Sequence, residues 1–250
     1  MNVIKLGGSL LDDKARRAIA LRAIAGEQDV VLVHGGGKHV DARLAQLGIA
    51  KRTHAGLRIT DDATLDVVIA VLAGAVNKML VAELAAMGVR AAGISGVDAS
   101  TIVAEQHPPI DGIAFGHVGR VTGSDPTLVR AMLASGILPV VSSVAQGPSG
   151  TLLNVNADSA ACALAVALGA SSLRFLTDVD GLLDANGALV PTLTARDVNA
   201  LINSGVVSGG MRPKIESAVA AIESGVKKVV IGGTELLRSE ARRAQANAAA

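Results

Sequence analysis

Two lysines stand where a positive charge is costly unless it is used, and a cluster of polar residues stands ahead of a very apolar helix. Lys5 lies inside the apolar run Val3–Leu6 and is followed at once by Gly7-Gly8, in "VIKLGGSL". A charge in such a strand needs a partner or a task. Lys214, in "SGGMRPK", falls in the first turn of a helix expected to start at Pro213, where positive charge opposes the helix dipole. A lysine in that place suits a ligand phosphate or a neighbouring carboxylate. Asp158 belongs to "NVNAD", just ahead of a very apolar helix. Capping accounts for Asn156 as N-cap and for Asp158 in the first turn, but it leaves Asn154 without a reason.

The glycines beside these residues suggest what the charges are for. "VVLVHGGGKHV", Val30 to Val40, runs from an aliphatic strand through three consecutive glycines into a helix. Glycine loses the most backbone freedom on folding, so such a run needs an unusual turn or bare backbone near a ligand. It is not a P-loop, because His39 follows Gly37-Lys38 where Ser or Thr is required, and it lacks the G-x-G-x-x-G pattern. No G-x-S-x-G elbow accompanies it, which excludes the oxyanion loop of a hydrolase. Taken alone, a ligand-free turn and an anion loop fit equally well. A second glycine turn after Lys5 favours the anion. In parallel α/β sheets ligands bind beyond the carboxyl ends of the strands, where backbone N–H groups and helix N-termini point. The competing reading of Lys5 is an edge-strand lysine whose head reaches solvent.

The elements that must hold these residues follow from periodicity. Val3–Leu6, Val30–Val33, Ala91–Ile94, Ile137–Val141, Leu173–Leu176 and Lys227–Ile231 read as short strands, the last closing the sheet. Helices are expected over Asp12–Ile24, Val40–Leu47, Asp125–Ser135, Asn156–Leu168 and Pro213–Ser224. A long helix, capped by Thr60, runs from Asp61 to Met87 and is apolar over much of its surface. Thr194 and Asp197 have capping-box spacing before a helix to Asn203, and Asn186-Gly187 marks a hairpin turn. The glycine-rich stretch between Ser95 and Ser124 reads as short strands and turns. Alternating strands and helices give an α/β fold around a mainly parallel central sheet, with its weakest boundary near Gly169-Ala170.

Composition removes other classes. The chain has 250 residues, half of them apolar, with 23 basic and 22 acidic side chains and a net charge of +1. Near-neutrality gives no polyanion-binding signature. Two Phe and no Trp or Tyr cannot build a base-stacking platform, so no nucleic-acid partner is expected. Cys162 is the only cysteine; it excludes an intrachain disulfide and reads as a core residue. The N-terminus lacks signal-peptide features, and the apolar runs fall short of a membrane span, so a soluble cytoplasmic protein without membrane contact is expected. The five histidines form no metal-ligand spacing.

With "KLGGSL", "VHGGG", "GLRITD", "NVNAD", "LTDVDGLL" and "GGMRPK" on the page, the sequence resembles the amino acid kinase family over nearly its whole length. The resemblance implies a three-layer sandwich in which two lobes share one sheet. Residues 1–169 would bind the amino acid and dimerise, and residues 170–250 would bind nucleotide. Within the family, the motifs resemble the branch that uses ATP and Mg2+ to phosphorylate the side-chain carboxylate of N-acetyl-L-glutamate in arginine biosynthesis. Lys5 and Lys214 then match the lysines on the transferring phosphoryl group, and Asp158 the aspartate that organises them. Gly8, Gly36 and Gly37 match backbone donors to phosphate and substrate. Arg58 matches the arginine on the substrate α-carboxylate, and Asn154 the asparagine on the acetamido group. Asp178, Val179, Asp180, Gly181, Leu182 and Leu183, with Val206, Val207 and Ser208, match nucleotide contacts. No protein metal ligand is implied, the Mg2+ being held mainly by ATP.

The implied chemistry suits the residue types. A carboxylate acceptor is ionised at neutral pH and needs no general base. The protein must place two anions in line and offset charge on the transferring group. Val97 in "SGVDAS" departs from the lysine often found there, which removes one basic contact. A sister kinase acting on carrier-bound glutamate or aminoadipate would call for a basic rim, and "AEQHPPIDG" carries no Lys or Arg. A non-catalytic nucleotide-binding regulator would not need Lys5, Asp158 and Lys214 together. The resemblance also implies a homodimer through the long helix. Four residues before Lys5 leave no counterpart for the N-terminal helix of arginine-inhibited relatives, so arginine-insensitive activity is expected.

Overall fold

A computed structural model describes residues 1–177, 179–184, 187–203 and 211–238. Its strands are β1 (Asn2–Leu6), β2 (Val30–His34), β3 (Thr53–His54), β4 (Leu57–Arg58), β5 (Ala91–Ser95), β6 (Val103–Gln106) and β7 (Val118–Gly123). They continue as β8 (Leu138–Ser142), β9 (Val144–Gln146), β10 (Leu152–Val155), β11 (Ser172–Leu176), β12 (Thr192–Thr194), β13 (Lys228–Ile231) and β14 (Thr234–Leu237). The helices are α1 (Ser9–Asp12), α2 (Lys14–Ala25), α3 (Gly37–Gln46), α4 (Asp62–Ile69), α5 (Asn77–Ala86), α6 (Thr127–Ala134), α7 (Ala157–Leu168), α8 (Ala195–Asn203) and α9 (Met211–Glu223). Eight strands form the central sheet in the order β12-β14-β13-β11-β1-β2-β8-β5. Its pairs are parallel except β13 with β14.

The sheet is the middle of three layers, because its strands are apolar on both faces. From β1, Val3 enters one core with α7 and α9, while Ile4 and Leu6 enter another with α2, α4 and α5. β1 sits between β11 and β2, so Lys5 is an interior-strand residue and not an edge lysine. A smaller closed sheet of β10, β7, β6 and β9 and a two-stranded hairpin of β3 and β4 complete the fold. The sequence pattern reads β6 and β7 only as part of a stretch of turns and short strands and does not single out β3, β4, β9 or β10, since each is too short to show a period. β14 is a further strand beyond the expected last one.

The long helix is capped one residue later than expected. Asp61 is the N-cap and accepts from Thr64 N at 3.0 Å, which leaves the Thr60 side chain free for other bonds. Between α4 and α5 the helix passes through a π-helical segment, Ala70–Val76. Contrary to the expectation of short apolar runs, the whole of Asp62–Ala86 is long and apolar enough to cross a membrane by length and composition. Here it is a packed helix: Val67, Val68, Val71, Leu72, Val76, Leu80 and Leu84 belong to the second core. The capping box forms as spaced, with Thr194 N 2.8 Å from Asp197 Oδ2 and Asp197 N 3.4 Å from Thr194 Oγ1. The helix carrying Lys214 begins at Met211, two residues before Pro213.

Asn77, at the end of the π-helical segment, pins the helix to the sheet. It is fully buried, and its Nδ2 lies 2.9 Å from Val140 O and 3.2 Å from Ile94 O. The close approach requires Gly93 opposite: a Cβ there would lie 1.8 Å from Asn77 Oδ1. Gly93→Ala is therefore expected to cost roughly 2–3 kcal/mol, through overpacking and displaced hydrogen bonds. Urea denaturation should show a lower midpoint with an unchanged m-value; an unchanged midpoint would mean that the Asn77 amide moves aside freely.

Candidate active site

The carboxyl ends of β1 and β2 open into a cleft of about 250 Å3. Both glycine turns wall it, with Gly7 and Gly8 on one side and Gly35, Gly36 and Gly37 on the other. Gly35 N donates to Leu6 O at 3.4 Å, which joins the two turns. Gly36 has φ +153°, and a Cβ there would meet Leu72 Cδ2 at 2.9 Å. Only glycine gives that backbone beside the long helix. Gly37 opens α3, and Asn156 caps α7 by accepting from Asp158 N and Ser159 N. Helix N-termini thus face the cleft from two directions, an arrangement that favours an anion.

Three residues far apart in sequence meet beside this cleft, and Lys5 among them lines it. Lys5 Nζ lies 2.8 Å from Asp158 Oδ1, and Lys214 Nζ lies 3.0 Å from Asp158 Oδ2. All three side chains are largely buried. β1 supplies Lys5, the first turn of α7 supplies Asp158, and the first turn of α9 supplies Lys214. Burial lowers the pKa of Lys5; Asp158 offsets this in part, while Lys214 adds to it. Burial also works against the Asp158 carboxylate, yet the two ammonium groups outweigh it and hold its pKa below the usual range. The Lys5 head folds over Gly7, where a Cβ would lie 2.3 Å from Nζ. Lys214 Nζ sits 5.1 Å from the Phe175 ring centroid, a cation–π contact. One carboxylate carries two cations, so the trio keeps a net positive charge toward the cleft.

Arg58 and Asn154 enter from the other side. Arg58 Nη2 donates to Gly37 O at 3.2 Å and pairs with Asp41, which also holds Lys51 at 2.8 Å. Arg58 Nη1 is buried and has no hydrogen-bond partner among the described residues. A buried guanidinium N–H left open beside a cleft suits an anionic ligand. Asn154 Nδ2 donates to Thr60 Oγ1 at 3.1 Å.

The residues matched to nucleotide contacts lie partly in view. Val179, Asp180, Gly181, Leu182 and Leu183 follow β11 and pack on the β13–β14 turn, where Gly233 N donates to Asp180 O at 2.6 Å. Leu182 is buried in the core, so its side chain is already committed. Asp178, Val206, Val207 and Ser208 lie outside the described residues. A larger groove of about 400 Å3 runs between β7, α7 and α9, lined by Val121, Cys162 and Ser217 among others. None of the expected site residues among the described residues opens into it. We place the chemistry at the smaller cleft because the charges converge there. Cys162 is buried and donates to Ser217 O at 3.2 Å.

A polar residue outside the expected site residues lies beneath the glycine loop. His34 is fully buried, with Nδ1 2.9 Å from Gly35 O. A carbonyl only accepts, so Nδ1 carries the proton and Nε2 accepts from Asn77 Nδ2 at 3.1 Å. The ring is neutral, and burial lowers its pKa to about 4. The signal in the sequence was its place next to the glycines, at the end of an otherwise aliphatic strand.

Parallel sheet, glycine turns and bridged lysines together define an α/β protein built to handle phosphate. Residues 1–233 match the model of the amino acid kinase family, and the chain belongs to that family. It is 45% identical over 234 residues to an acetylglutamate kinase of Solibacter usitatus (strain Ellin6076), covering 92% of this chain and 89% of that protein. An acetylglutamate kinase of Methanopyrus kandleri is 43% identical over 241 residues, 94% of this chain and 96% of its own length. Among solved structures, smu.665 from Streptococcus mutans UA159 superposes with a TM-score of 0.82 at 31% identity, covering 94% of this chain and 98% of that one.

The neutral His34 has a consequence for stability. An unfolded histidine titrates near 6.5, against about 4 in the fold. Between these values the unfolded chain binds more protons, so stability rises with pH. The contribution, about 3 kcal/mol, is complete above pH 6.5 and lost as pH falls toward 4. Denaturation of wild type and His34→Asn at pH 7 and pH 4 should show the wild-type advantage narrowing by about that amount. A pH-independent difference would place the charge penalty elsewhere.

Proposed function

We propose that the protein transfers the γ-phosphoryl group of ATP to the side-chain carboxylate of N-acetyl-L-glutamate, giving N-acetyl-L-glutamyl 5-phosphate for arginine biosynthesis. The observation that carries this is the cleft where Asp158 bridges Lys5 and Lys214 between two glycine turns, in a chain over 40% identical to acetylglutamate kinases. The acceptor is already an anion, so the work is electrostatic. Lys5 and Lys214 offset charge that grows on the transferring group, and Asp158 fixes their spacing. N–H groups of Gly8, Gly36 and Gly37 hold phosphate and substrate oxygens. Arg58 takes the α-carboxylate through its open Nη1, and Asn154 takes the acetamido group. None of these steps calls on a general base.

Both oxygens of Asp158 face lysines, so this carboxylate is not free to ligate a cation. That suits a Mg2+ carried mainly by the phosphates of ATP, where it would neutralise charge on the nucleotide. Of the eight sheet strands, β1, β2, β5 and β8 precede residue 170 and the other four follow it. This supports an acceptor-binding lobe over 1–169 and a nucleotide lobe over 170–250. The nucleotide would lie on Asp178–Leu183 and Val206–Ser208. On the rim, Arg120 is paired with Glu105, so it adds no net charge for an acidic carrier protein. The long helix exposes Ala70, Ala75, Ala82 and Ala85, small residues that support a homodimer of close-packed helices. Such a protein would be cytoplasmic, with no nucleic-acid or membrane partner.

A phosphoryl-transfer assay with N-acetyl-L-glutamate and MgATP tests the reading directly; no turnover would overturn it. Lys5→Ala and Lys214→Ala are each expected to lower kcat by roughly 10²–10³-fold while KM changes only a few-fold. Near-normal kcat in a folded variant would remove that lysine from the mechanism. Arg58→Lys should raise KM for N-acetyl-L-glutamate about tenfold and leave KM for ATP within about twofold, since lysine cannot reproduce the fork. An equal rise for both substrates would argue against a dedicated carboxylate contact.

A further inference from the structure

Thr60 does not cap the long helix, and its hydroxyl has another use. The residue is fully buried. Its Oγ1 donates to Arg58 O at 2.8 Å. Because a carbonyl can only accept, the hydroxyl proton is spent there, and Oγ1 is left to accept. The group it accepts from is Asn154 Nδ2, at 3.1 Å. The direction of the whole chain follows from the carbonyl: Asn154 must turn its NH2 toward Thr60, which leaves Oδ1 as the acceptor available to a ligand in the cleft that Asn154 lines.

The backbone around Thr60 makes this arrangement rigid. Thr60 N donates to Phe115 O at 3.0 Å, and Thr60 O accepts from His117 N at 2.7 Å. Asn154 N donates to His117 O at 2.8 Å. One segment, Phe115 to His117, therefore holds the main chain of both residues. Gly116 between them has φ +65°, and a Cβ there would lie 2.3 Å from Thr60 O. Neither backbone can slide without breaking the other's hydrogen bonds.

We propose that Thr60 is a positioning residue of the acceptor-substrate site. Its hydroxyl sets the orientation of the Asn154 amide and ties it to the main chain of Arg58, so that the groups for the acetamido N–H and the α-carboxylate are held in one register. This rests on the function proposed above. A ligand offering an N–H donor and a carboxylate at the matching separation satisfies both residues at once. A ligand with an acceptor in place of that N–H meets Asn154 Oδ1 and is rejected.

The test compares steady-state kinetics of wild type, Thr60→Val and Thr60→Ser. Thr60→Val keeps the shape but deletes the hydroxyl, and is expected to raise KM for N-acetyl-L-glutamate about tenfold, from the loss of one buried hydrogen bond and the misdirected amide. KM for ATP should stay within about twofold, because the nucleotide does not touch this network. Thr60→Ser restores the hydroxyl and should return KM to near wild type. In an Asn154→Ala background, Thr60→Val should add little, since its effect runs through that amide. Equal changes in both KM values, no change in either, or full additivity with Asn154→Ala would overturn the proposal. If Thr60→Val does not fold, a crystal structure of wild type with N-acetyl-L-glutamate decides: Asn154 Nδ2 on Thr60 and Oδ1 on the substrate N–H supports it, and a flipped amide overturns it. Absence of wild-type turnover on N-acetyl-L-glutamate would instead defeat the functional reading itself.

Discussion

A buried carboxylate shared by two buried ammonium groups is the constraint around which this molecule is arranged. An isolated charge in a strand between two cores would be expelled or neutralised. Lys5 persists there because Asp158 lies 2.8 Å away, and Asp158 persists as an anion because Lys214 completes its coordination. One negative charge between two positive ones leaves the cluster electrostatically unfinished. The remaining attraction is directed toward a cleft walled by glycine turns and by the N-termini of α3 and α7. The same feature that makes the cluster expensive to bury makes it receptive to an anion, which is how stability and binding become linked here.

The sheet supplies the geometry. Residues 5, 158 and 214 meet because β1, α7 and α9 all place their relevant ends at the carboxyl-end side of the central strands, and parallel β1, β2 and β11 put their carboxyl ends side by side. The side of the cleft with Arg58 and Asn154 is held differently. Arg58 and Asn154 sit on short strands outside the central sheet, where secondary structure alone gives little rigidity. Hydrogen bonds from Phe115, His117 and Thr60 compensate. The two halves of the cleft thus draw their precision from different sources, a strand-and-helix scaffold for Lys5, Asp158 and Lys214 and a hydrogen-bond network for Arg58 and Asn154.

What could be read in the sequence divides along the same line. Lys5, Gly36 and Asn154 stood out because each violates a local preference: charge in a strand, glycines in a row, a polar residue beyond what a cap needs. Long periodic elements were legible for the same reason, including the capping box at Thr194. The hairpin of β3 and β4, the closed small sheet and β14 were not, since two to six residues carry no period. Thr60 was misplaced as a cap because the neighbouring Asp61 fits the same position, and only tertiary contacts decide between them. The apolar Asp62–Ala86 helix is the opposite case: its composition suits a membrane, and only its packing against the sheet shows it to be a core element. Residue pairs brought together by crossovers, such as 60 with 154, leave no trace in spacing.

Strand alternation finally separates two polar systems that would otherwise interfere. In the register of β1 with β2, Lys5 lies beside Val33 and Leu6 beside His34. Lys5 therefore points toward α7 and the charged cluster, while His34 points to the opposite face and Asn77. The neutral imidazole holds the glycine loop from below through Gly35 O, on the side away from the ammonium groups. A slip of one residue in β1 would exchange the faces, placing Lys5 among Leu21, Leu32 and Leu80 with no carboxylate in reach, and Leu6 against Asp158. The cost of that misplacement is far larger than that of any single lost contact. The buried charge is thus also a register mark, selecting the one strand alignment in which the glycine turns and Lys5 open into the same cleft and Asp158 joins Lys5 to Lys214.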